Sequence, residues 1–216
     1  MTKSIKLNEF DGCSTRLRFM IEAAREPQRY TTTAILLHWL SALAVLGLLM
    51  LGWYMADLPL SPQRLKLFNW HKWAGVSVLG LTLMRLLWRW THRPPALPAE
   101  LVGQTQAWQL RLARATHVTM YGLLLLVPLI GWAYSSASGF SVVLFGVLPL
   151  PDLLPKDQAL AQWVKPWHAV GAYSLCALIA LHLAAALKHQ FVGKDGLMRR
   201  MWPADPARRV AQEPLS

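Results

Sequence analysis

His168 and His182 lie fourteen residues apart on a stretch, residues 166–187, that contains no Asp, Glu, Lys or Arg. On an α-helix this spacing separates them by about 21 Å and leaves them within about 40° of the same face. Two imidazoles presented to one side, near the two ends of an apolar helix, offer one ligand to each of two metal centres stacked along it. His38 and His71 stand near the ends of two further apolar stretches and can complete the two centres. Neutral imidazole suits iron, and two axial imidazoles on a haem iron leave no vacant position. That favours electron transfer over oxygen activation.

A single histidine on an apolar helix is more often bonded to a nearby carbonyl or hydroxyl than to a metal. Four at matched depths shift the balance. Zinc would want four ligands in one tetrahedron, and no such cluster is legible. No Cys-x-x-Cys-His occurs, which excludes covalent c-type haem. No paired carboxylates, Gly-rich phosphate loop or Ser/His/Asp arrangement stands out.

Other residues are weaker candidates. His117 opens a third apolar stretch and could rival an inner ligand, hold a haem propionate or touch a quinone headgroup. Arg85 and Lys72, with Arg89, could neutralise propionates, since charge-assisted bonds to carboxylates are strong. Their plainer roles are anchoring and snorkelling. Gly75, Gly171 and Ala184–Ala186 permit close packing round a flat cofactor, as small residues do in any membrane bundle. His189 falls at an interface and His92 in a Pro-rich turn.

The elements that must position these residues are membrane helices. The 216 residues are 54% hydrophobic and only 15% charged, well below the roughly 25% charged of soluble domains. Residues 30–56, 115–151 and 166–187 carry no charge, and each exceeds the about 18–20 residues a span needs. A fourth span, near 72–91, is interrupted by Lys72 and Arg85. The reading is an all-α, four-helix transmembrane bundle, with helices near 31–55, 70–91, 115–136 and 166–190. Pro59 and Pro62 fall in the first external loop, and Pro128 is a candidate kink in the third helix. The apolar start of segment 137–166 reads as interfacial or re-entrant.

With both termini cytoplasmic, all but Arg64, Lys66, Lys72, Lys156 and Lys165 of the 22 Lys and Arg residues fall on the inner side, the positive-inside pattern. The net charge of +11 therefore reads as topology, with no need of nucleic acid. Trp53, Trp70, Trp73, Trp88, Trp90, Trp132, Trp163 and Trp167 fall near span ends, where an indole can be half wet. Cys13 and Cys176 lie in the polar N-terminal segment and inside a helix, so no disulfide is expected. The first apolar span lies too far along, and is too long, for a cleavable signal peptide. Three segments follow: 1–29, a polar extension without an assigned role; 30–203, the transmembrane domain; and 204–216, a cytoplasmic tail.

Several motifs together resemble the prokaryotic cytochrome b561 family: "LLHWLSAL" at His38, "WHKWAG" at His71, "MRLLWR", "HVTMYGLLLLVPLIGW", "WHAVGAYSLCALIALHLAAALKHQF" and "KDGLMRRMWP". The resemblance covers roughly Tyr30–Pro203. It implies that His38, His71, His168 and His182 are axial ligands of two non-covalent haem b groups, and that electrons pass to or from membrane quinone.

The expected function is an inner-membrane di-haem cytochrome carrying electrons between a periplasmic donor, superoxide among the candidates, and the quinone pool. A rival is the cytochrome b anchor of a multisubunit periplasmic dehydrogenase, with segment 137–151 as its docking surface. A rival of another class is a haem-free transporter or scaffold. A second copy of the chain is a candidate partner besides lipid.

Overall fold

The computed structural model describes residues 29–202. Residues 1–28 of the polar extension, Cys13 among them, and residues 203–216, with their share of the basic residues, lie outside the described residues. Four long helices and one short one carry the fold: α1 Thr32–Ala56, α2 Pro62–Thr91, α3 Ala99–Gln104, α4 Ala107–Ala137 and α5 Gln158–Lys188. A π-helical turn, His189–Gly193, and a 3-10 helix, Leu197–Met201, follow α5.

Local chemistry sets where each helix begins. The Thr31 hydroxyl accepts from the Ala34 amide at α1, and the Ser61 hydroxyl accepts from the Arg64 amide at α2. Gln106 and Gln109 form a reciprocal cap at α4. The Asp157 carboxylate accepts from the Ala159 and Leu160 amides at α5. Each satisfies amide donors that a helix start leaves orphaned.

These caps shift three expected boundaries, and α4 begins at Ala107 where a start near 115 is expected. Pro62, expected in a loop, occupies the first turn of α2, where its missing N–H costs nothing. α5 begins at Gln158 and runs through Pro166, which a membrane helix tolerates. His71 and His168 therefore lie more than two turns inside their helices, not at the openings. The segment after α4 is neither a plain loop nor all-α. It holds a two-stranded antiparallel hairpin, β1 Val143–Leu144 against β2 Leu148–Pro149. The indole N–H of Trp73 on α2 donates to the Val143 carbonyl at 2.6 Å, tying the hairpin to the bundle.

Among the described residues, three helices are long and apolar enough to cross a membrane: α1, α4, and α5 with its π-helical continuation. The 30-residue α2 is not one of them, since Arg64, Lys66, Lys72, Arg85 and Arg89 dilute its apolar character. α1 packs on α2, α2 on α4, and α4 on α5. Neither α1 nor α2 packs its backbone closely on α5. Large side chains or a further group must bridge those two gaps.

The core is one apolar residue from each long helix: Val45, Val78, Leu124 and Leu175. Most other large apolar side chains point outward, Leu43, Met50, Leu87 and Val118 among them. That inside-out pattern is what lipid surroundings allow.

A three-layer candidate haem site

Counting seven residues either way from the core layer gives the architecture of the site. On α1 the series is His38, Val45, Gly52; on α2 it is His71, Val78, Arg85. On α4 it is His117, Leu124, Gly131; on α5 it is His168, Leu175, His182. Seven residues are nearly two turns, about 10.5 Å, so each series keeps one face. Because the helices alternate in direction, the series stack into three layers. Near the hairpin lie Gly52, His71, Gly131 and His168. Near the ends of the described chain lie His38, Arg85, His117 and His182. The apolar layer separates them.

In the hairpin-side layer, the rings of His71 and His168 stand 6.2 Å apart between centroids, with planes at 81°. The Nδ1–H of His168 donates to the Val127 carbonyl at 3.0 Å. This leaves Nε2 with its lone pair, the state of a metal-ligating imidazole whose other nitrogen is held by a carbonyl. The buried Nδ1 of His71 has no hydrogen-bond partner among the described residues. Glycine makes room for both rings. A Cβ on Gly131 would stand 2.8 Å from His168 Cε1, and one on Gly52 would stand 3.4 Å from His71 Cε1.

In the opposite layer, the rings of His38 and His182 stand 6.5 Å apart, with planes at 74°. Arg85 Nη2 donates to His38 Nδ1 at 3.2 Å, and its guanidinium lies 5.3 Å from the centre of the Tyr121 ring. His117 donates from Nδ1 to the Ala113 carbonyl at 2.8 Å, and its ring stands 5.2 Å from that of His182.

Ring spacing tests which pairs fit a metal. Two imidazole–metal bonds of about 2 Å, plus about 1.1 Å from each nitrogen to its ring centre, place centroids about 6.2 Å apart. The spacings of 6.2 and 6.5 Å for His71/His168 and His38/His182 fit this. The 5.2 Å of His117/His182 is too short. Both fitting pairs bridge onto α5, across the gaps where no backbone packs closely. A flat cofactor with an iron at its centre suits such gaps. Among the described residues, no group of three or more His, Cys, Asp or Glu is arranged to hold a metal ion by itself.

The remaining candidates are placed elsewhere. Lys72 lines a cavity of about 370 Å3 under the hairpin, with Asn69, Trp73, Phe140 and Ser141. His92 caps α2 and stacks on Trp88 at 3.8 Å while staying exposed. His189 bonds the Asp195 carboxylate. Cys176 is a free thiol within α5. A Cβ on Gly171 would stand 2.7 Å from Val127 Cγ2, and one on Gly75 would meet no other residue within 4 Å. Gly52 and Gly131 make the close approaches to histidine rings. The register that reveals them is fourteen residues beyond His38 and His117.

Two histidine pairs facing each other across a bundle of membrane-long helices suit a class, the membrane cytochromes of the b type, and comparison with known proteins agrees. The family model of prokaryotic cytochrome b561 matches residues 29–204. Cytochrome b561 homolog 2 of Escherichia coli (strain K12) is 32% identical over 176 residues, covering 81% of this chain and 92% of that protein. Cytochrome b561 homolog 1 of the same organism is 31% identical over 179 residues, covering 81% and 97%. A protein of Yersinia pestis named probable superoxide oxidase CybB is 30% identical over 185 residues, covering 82% and 97%. The chain belongs to the prokaryotic cytochrome b561 family. With that family come haem, electron transport and residence in a membrane.

Proposed function

We propose that the chain holds two haem b groups, one between His71 and His168 and one between His38 and His182, and that it carries electrons across the bacterial inner membrane. The observation that carries this reading is the pair of ring spacings, 6.2 and 6.5 Å, on opposite sides of one apolar layer. Bis-imidazole haem supplies one-electron transfer with no open coordination position. The chain's own residues do the rest. Val127 orients His168, Gly52 and Gly131 clear space for the rings, and Val45, Val78, Leu124 and Leu175 keep the two centres apart.

α2 is the fourth span in this reading. It packs between α1 and α4, contributes to all three layers, and at 30 residues reaches about 45 Å. Its charges sit towards its ends, with Arg85 drawn to His38 and Lys72 under the hairpin. Both termini are cytoplasmic by the asymmetry of Lys and Arg. The hairpin-side centre then faces the periplasm and a donor, and the other faces the quinone pool.

Superoxide is the candidate donor, on the strength of the Yersinia pestis relative's name. In proteoliposomes with ubiquinone inside the bilayer, superoxide generated outside should reduce quinone, and His71→Ala should abolish this. Quinone reduction that persists in His71→Ala would refute the route.

One observation favours a second reading, that of a cytochrome anchor for a periplasmic redox subunit. Phe140, Phe145 and Val147 around the hairpin are 63%, 62% and 83% exposed. Co-purification of a stoichiometric iron–sulfur partner would decide for it.

A further inference from the structure

The chain after α5 turns back under the bundle, and its fold there is specific. Lys194 and Gly196 both take left-handed backbone, at φ 49° and 73°. Between them, the Asp195 carboxylate accepts from His189 and from the Leu197 amide. The 3-10 helix Leu197–Met201 then lies against two other segments. Arg200 is only 2% exposed. Its Nη2 donates to the Pro95 and Ala96 carbonyls at 2.7 and 2.8 Å. Its guanidinium lies 5.7 Å from the centre of the Tyr30 ring, and the Tyr30 amide donates to its carbonyl at 3.2 Å. The turn is thus tied to the chain before α1 and to the linker after α2.

What this turn holds is Trp39. The indole N–H donates to the Met201 carbonyl at 2.8 Å, and Trp202 meets the indole edge-on at 5.7 Å. On its other side the indole meets the His38 ring edge-on, at 5.5 Å and 68°. His38 is therefore gripped twice, by Trp39 and by Arg85. The Arg85 bond needs a bare Nδ1, whereas a His38 that ligates through Nε2 carries its proton on Nδ1. Once His38 ligates, the Arg85 grip is lost and Trp39 remains.

We infer that Trp39 is a positioning residue for the His38/His182 centre, and that the turn of residues 195–202 acts through it. The inference rests on the haem reading above. The turn fixes the indole, the indole blocks rotation of the His38 ring, and the ring keeps its near-perpendicular setting to His182. That setting matters because the angle between axial imidazole planes controls the splitting of the iron d orbitals. Near-perpendicular planes leave two orbitals almost degenerate and give low-spin ferric iron a strongly anisotropic g tensor. Parallel planes spread them and reduce the anisotropy. The other centre has a separate brake, the His168–Val127 bond.

The test is electron paramagnetic resonance of the full chain, oxidised and loaded with haem in detergent. His168→Ala, which removes the other centre, assigns the His38/His182 signal. In Trp39→Phe, which keeps an aromatic ring but loses the anchor on Met201, that signal should shift to lower g anisotropy while the other stays put. Arg200→Ala, which loosens the turn without touching either ring, should shift the same signal in the same direction. Wild-type g values for both centres in both variants would overturn the inference. If Arg200→Ala loses both haems by misfolding, Trp39→Phe decides alone. A wild-type chain without haem would overturn the functional reading instead, so the two failures are distinct.

Discussion

Arg85 Nη2 stands 3.2 Å from Nδ1 of His38. A guanidinium can only donate, so Nδ1 accepts, and a neutral His38 ring carries its proton on Nε2. His168 shows the reverse, with Nδ1–H on the Val127 carbonyl and Nε2 free. One member of each pair thus stands in a different state of readiness. His168 presents a free Nε2, whereas His38 presents Nε2–H while Arg85 holds its Nδ1. Nitrogen-15 resonances of the histidines should show the Nε2–H tautomer at His38 in haem-free protein and the Nδ1–H tautomer after loading. A haem-free His38 already protonated at Nδ1 would contradict the contact.

Gly131 is predicted to be the more demanding of the two glycines. A Cβ there would stand 2.8 Å from His168, against 3.4 Å between Gly52 and His71. Overpacking costs about 1–3 kcal/mol, so Gly131→Ala should weaken haem retention at the His71/His168 centre by about 5- to 150-fold. Gly52→Ala should be nearly neutral. Haem retained per chain after gel filtration checks both, and the opposite ranking would refute the layer.

His117 should prove dispensable as a ligand, because its ring stands 5.2 Å from His182, too near for a metal between them. His117→Ala should keep two haems and His182→Ala should keep one. Pyridine haemochrome assays on the purified variants separate the cases. Loss of a haem in His117→Ala would reassign the pair.

Leu124 joins the apolar layer between the two histidine pairs. Leu124→Ala should lower stability by about 2 kcal/mol through the cavity left behind, with the haem count unchanged. Thermal denaturation followed at the haem absorption band measures this. Loss of one haem would mean the layer also shapes a site.

Much of the site was legible because histidine is rare in apolar helices and its spacing on α5 survives any shift of helix boundaries. His38, His71, His168 and His182 could be paired by depth alone. The glycines could not, since their role depends on which helices face each other, and Gly75 and Gly171 looked equally suitable. The hairpin escaped because two-residue strands in an apolar run leave no alternating pattern. The early start of α2 escaped because proline after a capping side chain reads as a loop until the cap is recognised, and that of α5 because Lys165 and Pro166 break its apolar run. Arg85 looked like an anchor or a propionate partner. Its bond to His38 is a tertiary contact, 47 residues away along the chain.

The most direct measurement is haem per chain in detergent-purified protein, with absorption spectra of the oxidised and dithionite-reduced forms. Two haem b per chain with low-spin, six-coordinate bands are expected, falling to one in either His71→Ala or His182→Ala. A wild-type protein with one haem or none, or two haems retained in both variants, would contradict this.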